Sequence, residues 1–234
     1  PWAEELLGEA KPEVIYNTAT GFTADTFEQV TAADPSQIIA VNQAVDARTK
    51  GSLEEIAPTT VKPNGYEDWQ VPWEKQVETI ADAVGKENEG DKLIDDTEKA
   101  FEEFRHEHAE LKDKSAAIVM PYDGKIGLYT EEDGRGQFIE DLGMEIPDAL
   151  QGDGRSFFVD IAPENYAKLN QVDYLFVLDY NGSSDALKKD KTFQGLDVVK
   201  EGRVRYLDTD TGNAMSMPNP VTIPWAVDKF EEKL

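Results

Sequence analysis

"KENEGDKLIDDTEKAFEEFRHEHAELKD", residues 86–113, predicts one long helix that decides the fold. The stretch contains no proline and a single glycine, so nothing in it forces an early break. One face of the helix is mostly apolar at helical spacing, and it carries Leu93, Ile94, Thr97, Ala100, Phe101, Phe104, His108 and Leu111. At 1.5 Å per residue such a helix is roughly 40 Å long. We expect it to form a rigid spine that joins two lobes.

Short apolar runs on both sides of the spine predict β-strands separated by helical patterns. The runs are VIYN (14–17), IIAV (38–41), AAIVM (116–120), IGLYT (126–130), FFVDI (157–161), YLFVLDY (174–180) and VRYLD (204–208). Strands that alternate with helices indicate an α/β fold with a largely parallel sheet. The runs cluster within 12–42 and 115–210, so the long stretch between them is expected to be strand-free.

The same pattern divides the chain into four segments. They are an N-terminal lobe (1–85), the spine helix (86–113), a C-terminal lobe (114–216) and a C-terminal helix (217–234). Three prolines forbid an early helix in the last segment, whose final ten residues allow one. We expect this last helix to pack back toward the N-terminal lobe.

Composition excludes several classes of function. The 234 residues include 23 Lys and Arg against 48 Asp and Glu, a net charge of −25, which repels nucleic-acid phosphates and anionic lipids. The absence of cysteine excludes disulfides, thiolate zinc sites and a cysteine nucleophile. No apolar run approaches the roughly 18 residues of a membrane helix, and the first residues lack a signal-peptide pattern.

Motifs of covalent or metal-dependent catalysis are also missing. The two histidines, His106 and His108, lie two residues apart on the spine helix and cannot share a face. No GxSxG, P-loop or HExxH pattern occurs. The segment DTDTGN (208–213) is better explained as a turn after a strand than as a calcium loop, and YDGK (122–125) predicts a hairpin turn.

Arg135 lies between two glycines in YTEEDGRGQFIEDLG (129–143), where a helix is expected to begin. A cation in the first turn opposes the helix dipole by roughly 0.3–1 kcal/mol when exposed. Arg135 is either a solvated side chain paired with Glu131, Glu132 or Asp133, or it binds a ligand. In the second interpretation, an anion at the carboxyl end of the strand IGLYT meets the guanidinium and the helix amides.

Aromatic side chains in GYEDWQVPW (65–73) suggest a second place for a bulky ligand. Tyr66, Trp69 and Trp73 surround a proline in a predicted loop, and such rings combine apolar bodies with polar tips. The other explanation is a loop held to its own lobe by Trp73, which is expected to begin the next helix.

The order of these elements resembles the iron-siderophore substrate-binding proteins of ABC importers, whose two Rossmann-like α/β lobes are joined by one long helix. The segments that carry the resemblance are FEQVTAADPSQIIAVNQ (27–43), LEEIAPTTV (53–61), PWEKQVETIADAVGKE (72–87), GRGQFIEDLG (134–143) and PENYAKLNQVDYLFVL (163–178). The chain departs from the family at its start: the signal and the anchoring cysteine are absent, and the first lobe is expected to lack its N-terminal βα elements.

The resemblance implies a non-enzymatic protein that binds a ferric siderophore and delivers it to a membrane permease. The implied ligand-binding residues are Arg135, Tyr129, Tyr66, Trp69, Asn42 and Tyr180. The chelator already saturates the iron, so no cofactor and no metal ligand from the protein is expected. In that family one glutamate of each lobe docks into the permease, and Glu28 and Glu164 stand at the matching positions. The resemblance further implies a monomer outside the cytoplasmic membrane, in the periplasm or lipid-anchored at the cell surface.

Two other functions remain open from the sequence. A protein of the same fold could carry haem or cobalamin, and Tyr129, Tyr180 or Met215 could serve as an axial haem ligand. A function of another class is an acidic metal-dependent hydrolase, for which Asp160, Asp179 and Asp208 stand near predicted strand ends.

Overall fold

The computed structural model describes residues 2, 4–10, 12, 14–15 and 21–234 and has the predicted α/β fold. The predicted strand at 14–17 falls partly outside the described residues. Within the described part of the chain, no helix is long and apolar enough to cross a lipid bilayer. The chain divides into two compact units, Ala3–Leu93 and Ile94–Leu234.

The first unit contains a small parallel sheet and short helices. Its elements are α1 (Glu4–Leu7), α2 (Ala24–Ala32), β1 (Ile38–Ala40), α3 (Ala47–Glu54), β2 (Thr59–Val61) and α4 (Trp73–Val84). β1 and β2 are parallel neighbours, with Ile38 opposite Thr59. β2 lies in the stretch predicted to be strand-free, and that prediction is wrong because three residues suffice once β1 supplies their backbone partners.

The long helix α5 (Glu87–Glu107) contains residues of both units, since the boundary falls between Leu93 and Ile94. Its 21 residues correspond to about 32 Å, shorter than predicted. The helix ends early because His108, at φ −114° and ψ 47°, leaves the helical region, and a 3₁₀ turn (Ala109–Leu111) follows. On the predicted apolar face, Phe101, Phe104 and Leu111 are buried, whereas Leu93 is 49% exposed.

The second unit is built on a five-stranded sheet. Its strands and helices are β3 (Ala116–Tyr122), β4 (Lys125–Tyr129), α6 (Gly134–Asp141), β5 (Phe158–Ile161), β6 (Tyr174–Asp179), α7 (Asp185–Lys189), α8 (Lys191–Gln194), α9 (Asp197–Lys200), β7 (Val204–Asp208), α10 (Thr209–Ser216) and α11 (Thr222–Glu231). Further 3₁₀ turns lie at Asp148–Leu150, Pro163–Gln171 and Tyr180–Gly182. The strand order is β5-β4-β3-β6-β7. β3, β6 and β7 are parallel, whereas β4 and β5 add antiparallel pairs.

The hairpin between β3 and β4 has the predicted turn. Tyr122 pairs with Lys125, and the two residues between them, Asp123 and Gly124, have φ values of 45° and 75°. Positive φ at both central residues is the hairpin geometry that Asp-Gly favours. Segment 208–213 is not the predicted turn, because Asp208 Oδ1 accepts a hydrogen bond of 2.9 Å from the Thr211 amide and begins α10.

Both faces of this sheet are covered. On one face, side chains of β3, β4 and β6 pack with those of residues 163–200 in a buried apolar cluster. On the other face, the Phe230 ring of α11 lies 4.5 Å from Phe176, 6.0 Å from Phe138 and 6.2 Å from Phe104 between centroids. α11 is therefore part of the core of the second unit. Its predicted packing toward the first lobe stays a prediction.

Candidate functional site

The start of α6 fixes the position of Arg135. Asp133 is the N-cap residue, and its carboxylate accepts a hydrogen bond of 2.9 Å from the Arg135 amide. A Cβ on Gly136 would lie 1.9 Å from the carbonyl oxygen of Thr130, so only glycine allows this close approach of helix and strand end. A Cβ on Gly134 would similarly lie 2.7 Å from Pro218. The two glycines that flank Arg135 therefore let α6 begin directly after β4.

The Arg135 guanidinium pairs with Asp133 through two hydrogen bonds. Nε donates to Oδ1 at 2.7 Å and Nη2 donates to Oδ2 at 3.0 Å. The Arg135 side chain is 15% exposed and that of Asp133 is 7% exposed. The partner is thus one of the three carboxylates expected from the sequence, but the pair is mostly buried rather than solvated. Burial lowers the pKa of Arg135, and the hydrogen bonds and charge of Asp133 outweigh that effect and raise it.

Two tyrosines complete the surroundings of the guanidinium. Cζ of Arg135 lies 3.6 Å from the centroid of the Tyr129 ring, the geometry of a cation–π contact. Nη1 donates to the Tyr180 hydroxyl at 3.4 Å. Tyr180 has room beside α10 because residue 212 is glycine, where a Cβ would lie 2.9 Å from the tyrosine oxygen. The structure therefore brings together the three candidate residues of the second unit.

Tyr129 is itself held in place by its neighbours. Burial raises its pKa to about 12, although the charge of Arg135 acts in the opposite direction. Its hydroxyl donates to the sulfur of Met120 at 3.6 Å. Because the phenol stays neutral at physiological pH, Tyr129 presents a neutral ring to the guanidinium.

An aromatic face, formed by Tyr122, Tyr129 and Phe158, extends from Arg135 across β3, β4 and β5. The Phe158 ring lies 5.1 Å from the Tyr129 ring and 5.5 Å from the Tyr122 ring between centroids. Phe158 fits above Gly127, where a Cβ would lie 1.7 Å from the ring. Phe158 is not among the site residues predicted from the sequence, since its position depends on the pairing of Gly127 with the neighbouring strand.

A second ion pair lies on the same side of the sheet. Lys125 Nζ and the Tyr122 hydroxyl both donate to the carboxylate of Asp160, and Lys125 also lies 4.7 Å from the Tyr122 ring centroid. The hydrogen bond to Asp160 raises the pKa of Lys125, and the one from Lys125 lowers the pKa of Asp160. Each charge on the aromatic face is thus matched by a partner.

The strand that leads to Arg135 runs opposite to the expected direction. Tyr129, the last residue of β4, pairs with Ile118 near the start of β3. The rule that ligands bind at the carboxyl ends of parallel strands therefore does not explain the position of Arg135. The side chain instead meets Tyr180, which directly follows the carboxyl end of β6.

The candidate residues of the first unit form a separate group within that unit. The Asn42 side chain accepts a hydrogen bond of 3.3 Å from the Val71 amide, which ties it to the loop of Tyr66 and Trp69. Trp69 has a positive φ of 68° and is 40% exposed. Trp73 is buried and begins α4, as predicted. A ligand-binding role for Asn42, Tyr66 and Trp69 stays a prediction.

The two candidate docking residues are exposed in their separate units. Glu28 lies on α2 and Glu164 lies in the first turn of the 3₁₀ segment Pro163–Gln171. Neither carboxylate forms an ion pair or a hydrogen bond with any residue that the structure describes. Both are thus accessible to a partner, and their docking role stays a prediction.

The aspartates of the hydrolase hypothesis each have local structural partners. Asp160 binds Lys125 and Tyr122, Asp179 accepts from the Ser184 amide at 3.0 Å, and Asp208 caps α10. In the described part of the chain, no group of three or more His, Cys, Asp or Glu side chains is arranged to hold a metal ion.

Comparisons with known proteins give a family and several structural neighbours. The family model described as periplasmic binding protein matches residues 7–211. PiaA of Streptococcus pneumoniae TIGR4, an iron uptake ABC transporter substrate-binding protein, is 26% identical, with a TM-score of 0.81 over 99% of this chain and 81% of its own. PiaA in complex with ferrichrome gives a TM-score of 0.83 over 99% of this chain and 78% of its own.

A further neighbour comes from another organism. A periplasmic solute binding protein of Mycobacterium smegmatis is 25% identical and gives a TM-score of 0.84, covering 99% of this chain and 78% of its own. No curated protein sequence matches the chain significantly.

Proposed function

The chain belongs to the periplasmic binding protein family, and from this membership we propose that it is the extracytoplasmic solute-binding component of an ABC importer. Its cargo is a ferric siderophore, which it captures and delivers to the permease. Membership agrees with the resemblance carried by residues 27–43, 134–143 and 163–178. The ferrichrome complex of PiaA, a 26% identical protein, supports this class of cargo.

The observation that carries the proposal is the set of hydrogen bonds that the Arg135 guanidinium donates. A guanidinium has five N–H donors, and three of them are directed at Asp133 and Tyr180. In this proposal the other two donors, for which the structure gives no partner among the residues it describes, bind oxygen atoms of a chelate. Because Asp133 and Tyr129 already fix the planar group, little side-chain entropy is lost when a ligand binds.

The aromatic face provides the apolar part of the same site. A ferric chelate presents a bulky, rigid surface with oxygen atoms around the metal, so it needs both ring contacts and a few directed donors. The half-buried Tyr122 and Phe158 supply the ring surface, and Arg135 and Tyr180 supply the polar groups. Tyr129 is only 5% exposed and contributes by supporting the guanidinium. Tyr66, Trp69 and Asn42 of the first unit also bind the chelate in this proposal.

No chemical transformation is part of this function. The chelator holds the iron throughout, so the protein contributes no metal ligand, needs no cofactor and is not an enzyme. Release requires only that the permease-bound state of the protein has a lower affinity than the free state. We assign the contact with the permease to Glu28 and Glu164, and we propose that the protein acts as a monomer outside the cytoplasmic membrane, whether free or lipid-anchored.

The haem and hydrolase hypotheses have less support. Met215 is 0% exposed, and burial raises the pKa of Tyr129 to about 12, which disfavours the tyrosinate that binds haem iron. Cobalamin has no specific observation in its favour. The hydrolase hypothesis requires free carboxylates that converge, whereas Asp160, Asp179 and Asp208 are each engaged locally.

Tryptophan fluorescence tests the proposal, because Trp69 lies exposed among the candidate binding residues. The full chain is titrated with ferrichrome, ferrichrome A, ferric enterobactin, iron-free ferrichrome, haem and cyanocobalamin. We expect saturable quenching by a ferric chelate, weaker binding of the iron-free form and no binding of the two macrocycles. A haem complex with a shifted Soret band, or the absence of binding by every ferric chelate tested, would contradict the proposed function.

A further inference from the structure

We propose that the Arg135 site selects ferric chelates without net negative charge and discriminates against polyanionic ones. This inference rests on the proposed function and specifies the class of cargo. An arginine in a binding site by itself suggests an anionic ligand, but the charges that surround Arg135 favour a ligand without net negative charge.

The positive charge of Arg135 is already neutralised by the protein. Asp133 accepts two hydrogen bonds from the guanidinium at 2.7 and 3.0 Å, and both side chains are mostly buried. Because the guanidinium and the carboxylate lie within hydrogen-bond distance of each other, their opposite charges largely cancel at the position of a ligand. The guanidinium then offers directed N–H donors rather than net charge.

The second cation near the site is neutralised in the same way. Lys125 pairs with Asp160 beside the Tyr122 ring of the aromatic face. The charges of Arg135 and Lys125 are therefore balanced by the carboxylates with which they pair. Glu131 and Glu132 add negative charge on the turn that precedes α6, and the chain as a whole carries −25. A polyanionic chelate would meet repulsion that no described unpaired cation of this site offsets.

The aromatic face agrees with a cargo of low charge. Phe158 lies over Gly127 between Tyr122 and Tyr129, and the adjacent Phe157 is exposed. A strongly hydrated anion loses solvation when it packs against such rings, whereas a neutral chelate gains apolar contact. Directed donors beside neutral rings are therefore suited to a neutral complex with iron-bound oxygens at its surface.

Ferrichrome and ferrichrome A form a matched pair of probes. Both bind iron through hydroxamates whose charges balance iron(III), but ferrichrome A carries additional free carboxylates. Affinities are measured by isothermal titration calorimetry at low and high ionic strength, with ferric enterobactin as a polyanion of different chemistry. We expect ferrichrome to bind at least about tenfold more tightly than either anion at low salt, a difference of about 1.4 kcal/mol. The difference shrinks as salt screens the repulsion.

Asp133→Asn separates charge from size. Asparagine keeps the N-cap function but removes the charge that neutralises Arg135, so ferrichrome A should gain affinity relative to ferrichrome. The control is Glu102→Gln, which removes one negative charge from an exposed residue of α5 that is not part of the site. We expect this control to change the ratio of the two affinities much less.

The outcomes distinguish this inference from the proposed function. If ferrichrome A or ferric enterobactin binds as tightly as ferrichrome, the selectivity is refuted while siderophore binding stands. Equal effects of Asp133→Asn and Glu102→Gln would also refute the role of the Arg135–Asp133 pair. If none of the three chelates binds, the proposed function itself fails, and the inference fails with it.

Discussion

Asp133 and Arg135 are joined by a bidentate ion pair across a single intervening residue, and the same carboxylate caps the helix that carries the arginine. One side chain therefore sets both where α6 begins and how its guanidinium is oriented. Because the pair is mostly buried, removal of either member leaves the other as an unpaired buried charge. This costs more stability than breaking a surface ion pair.

Removal of the Asp133 carboxylate should destabilise the second unit. Asp133→Ala loses the helix cap and leaves a mostly buried guanidinium unpaired, so we expect a loss of about 3 kcal/mol in the free energy of unfolding. Asp133→Asn keeps the cap and should lose less. Urea denaturation followed by circular dichroism measures both variants. A surface ion pair contributes at most about 1 kcal/mol to stability. If Asp133→Ala loses less than that, the Arg135–Asp133 pair does not stabilise the fold.

Gly136→Ala should displace the start of α6 and with it Arg135. The new Cβ would lie 1.9 Å from the Thr130 carbonyl oxygen, a backbone atom that cannot rotate away. We expect a loss of stability of about 2–3 kcal/mol together with weaker ferrichrome binding. The matched control is Gly51→Ala in α3, where a Cβ meets nothing within 4 Å and should stabilise the helix by up to about 1 kcal/mol. Equal effects of the two variants would refute the close-approach argument.

The ring of Tyr129, rather than its hydroxyl, should support Arg135. Tyr129→Phe keeps the ring face at 3.6 Å from the guanidinium, and we expect ferrichrome affinity within about threefold of the wild type. Tyr129→Leu loses the cation–π contact and the packing on Phe158, and we expect affinity to fall about tenfold. Calorimetric titration of the three proteins checks this order. A larger loss for Tyr129→Phe than for Tyr129→Leu would instead assign the role to the hydroxyl.

His108 should make part of the stability depend on pH. Its Nε2 lies 2.9 Å from Glu231 of α11 and its Nδ1 lies 3.4 Å from Glu110. Burial lowers the pKa of His108, but the hydrogen bonds and charges of these two glutamates outweigh burial and raise it above 6.5. Since the folded-state pKa is the higher one, the contribution is complete below pH 6.5 and is lost as pH rises through the folded value.

The size of this contribution is limited by exposure. Glu231 and Glu110 are well exposed, so we expect less than about 1 kcal/mol. Melting temperatures of the wild type and His108→Gln should differ more at pH 5.5 than at pH 8.5. A difference that grows toward high pH would contradict the assigned sign.

Glu28 and Glu164 should affect transport without affecting chelate binding. Both carboxylates are exposed and have no described partner, so their removal costs the protein no internal contact. We expect Glu28→Ala with Glu164→Ala to leave ferrichrome affinity unchanged and to reduce uptake in cells that contain the importer. The control Glu102→Ala removes an exposed acid on α5. Normal uptake by the double variant would refute the docking role.

Local features of the fold were predictable because they depend on neighbours in sequence. The helical face of α5 and the Asp-Gly turn at 123–124 follow from spacing and from backbone preference. The direction of β4 was also available, since a two-residue hairpin makes its strands antiparallel. The rule for parallel strands therefore does not apply to Arg135, because β4 is antiparallel to β3.

Contacts between distant segments were not available from local patterns. Phe158 lies over Gly127 only because the register of β4 and β5 places them together, and the sequence holds no local sign of that register. Asp133 was one of three acids next to Arg135, and the choice among them depends on the geometry of the helix cap. Tyr180 reaches Arg135 across 45 residues, and only the resemblance to a known family suggested it.

Iron itself provides the most direct test of the central claim that Arg135 holds the chelate. Crystals of the full chain grown with ferrichrome are measured at the iron absorption edge, and the anomalous difference map locates the metal. We predict a single strong peak within about 5 Å of the Arg135 guanidinium, the reach of one hydrogen bond of about 2.9 Å to an iron-bound oxygen. A chelate bound elsewhere, with the Arg135 guanidinium contacting only Asp133, Tyr129 and Tyr180, would contradict the account.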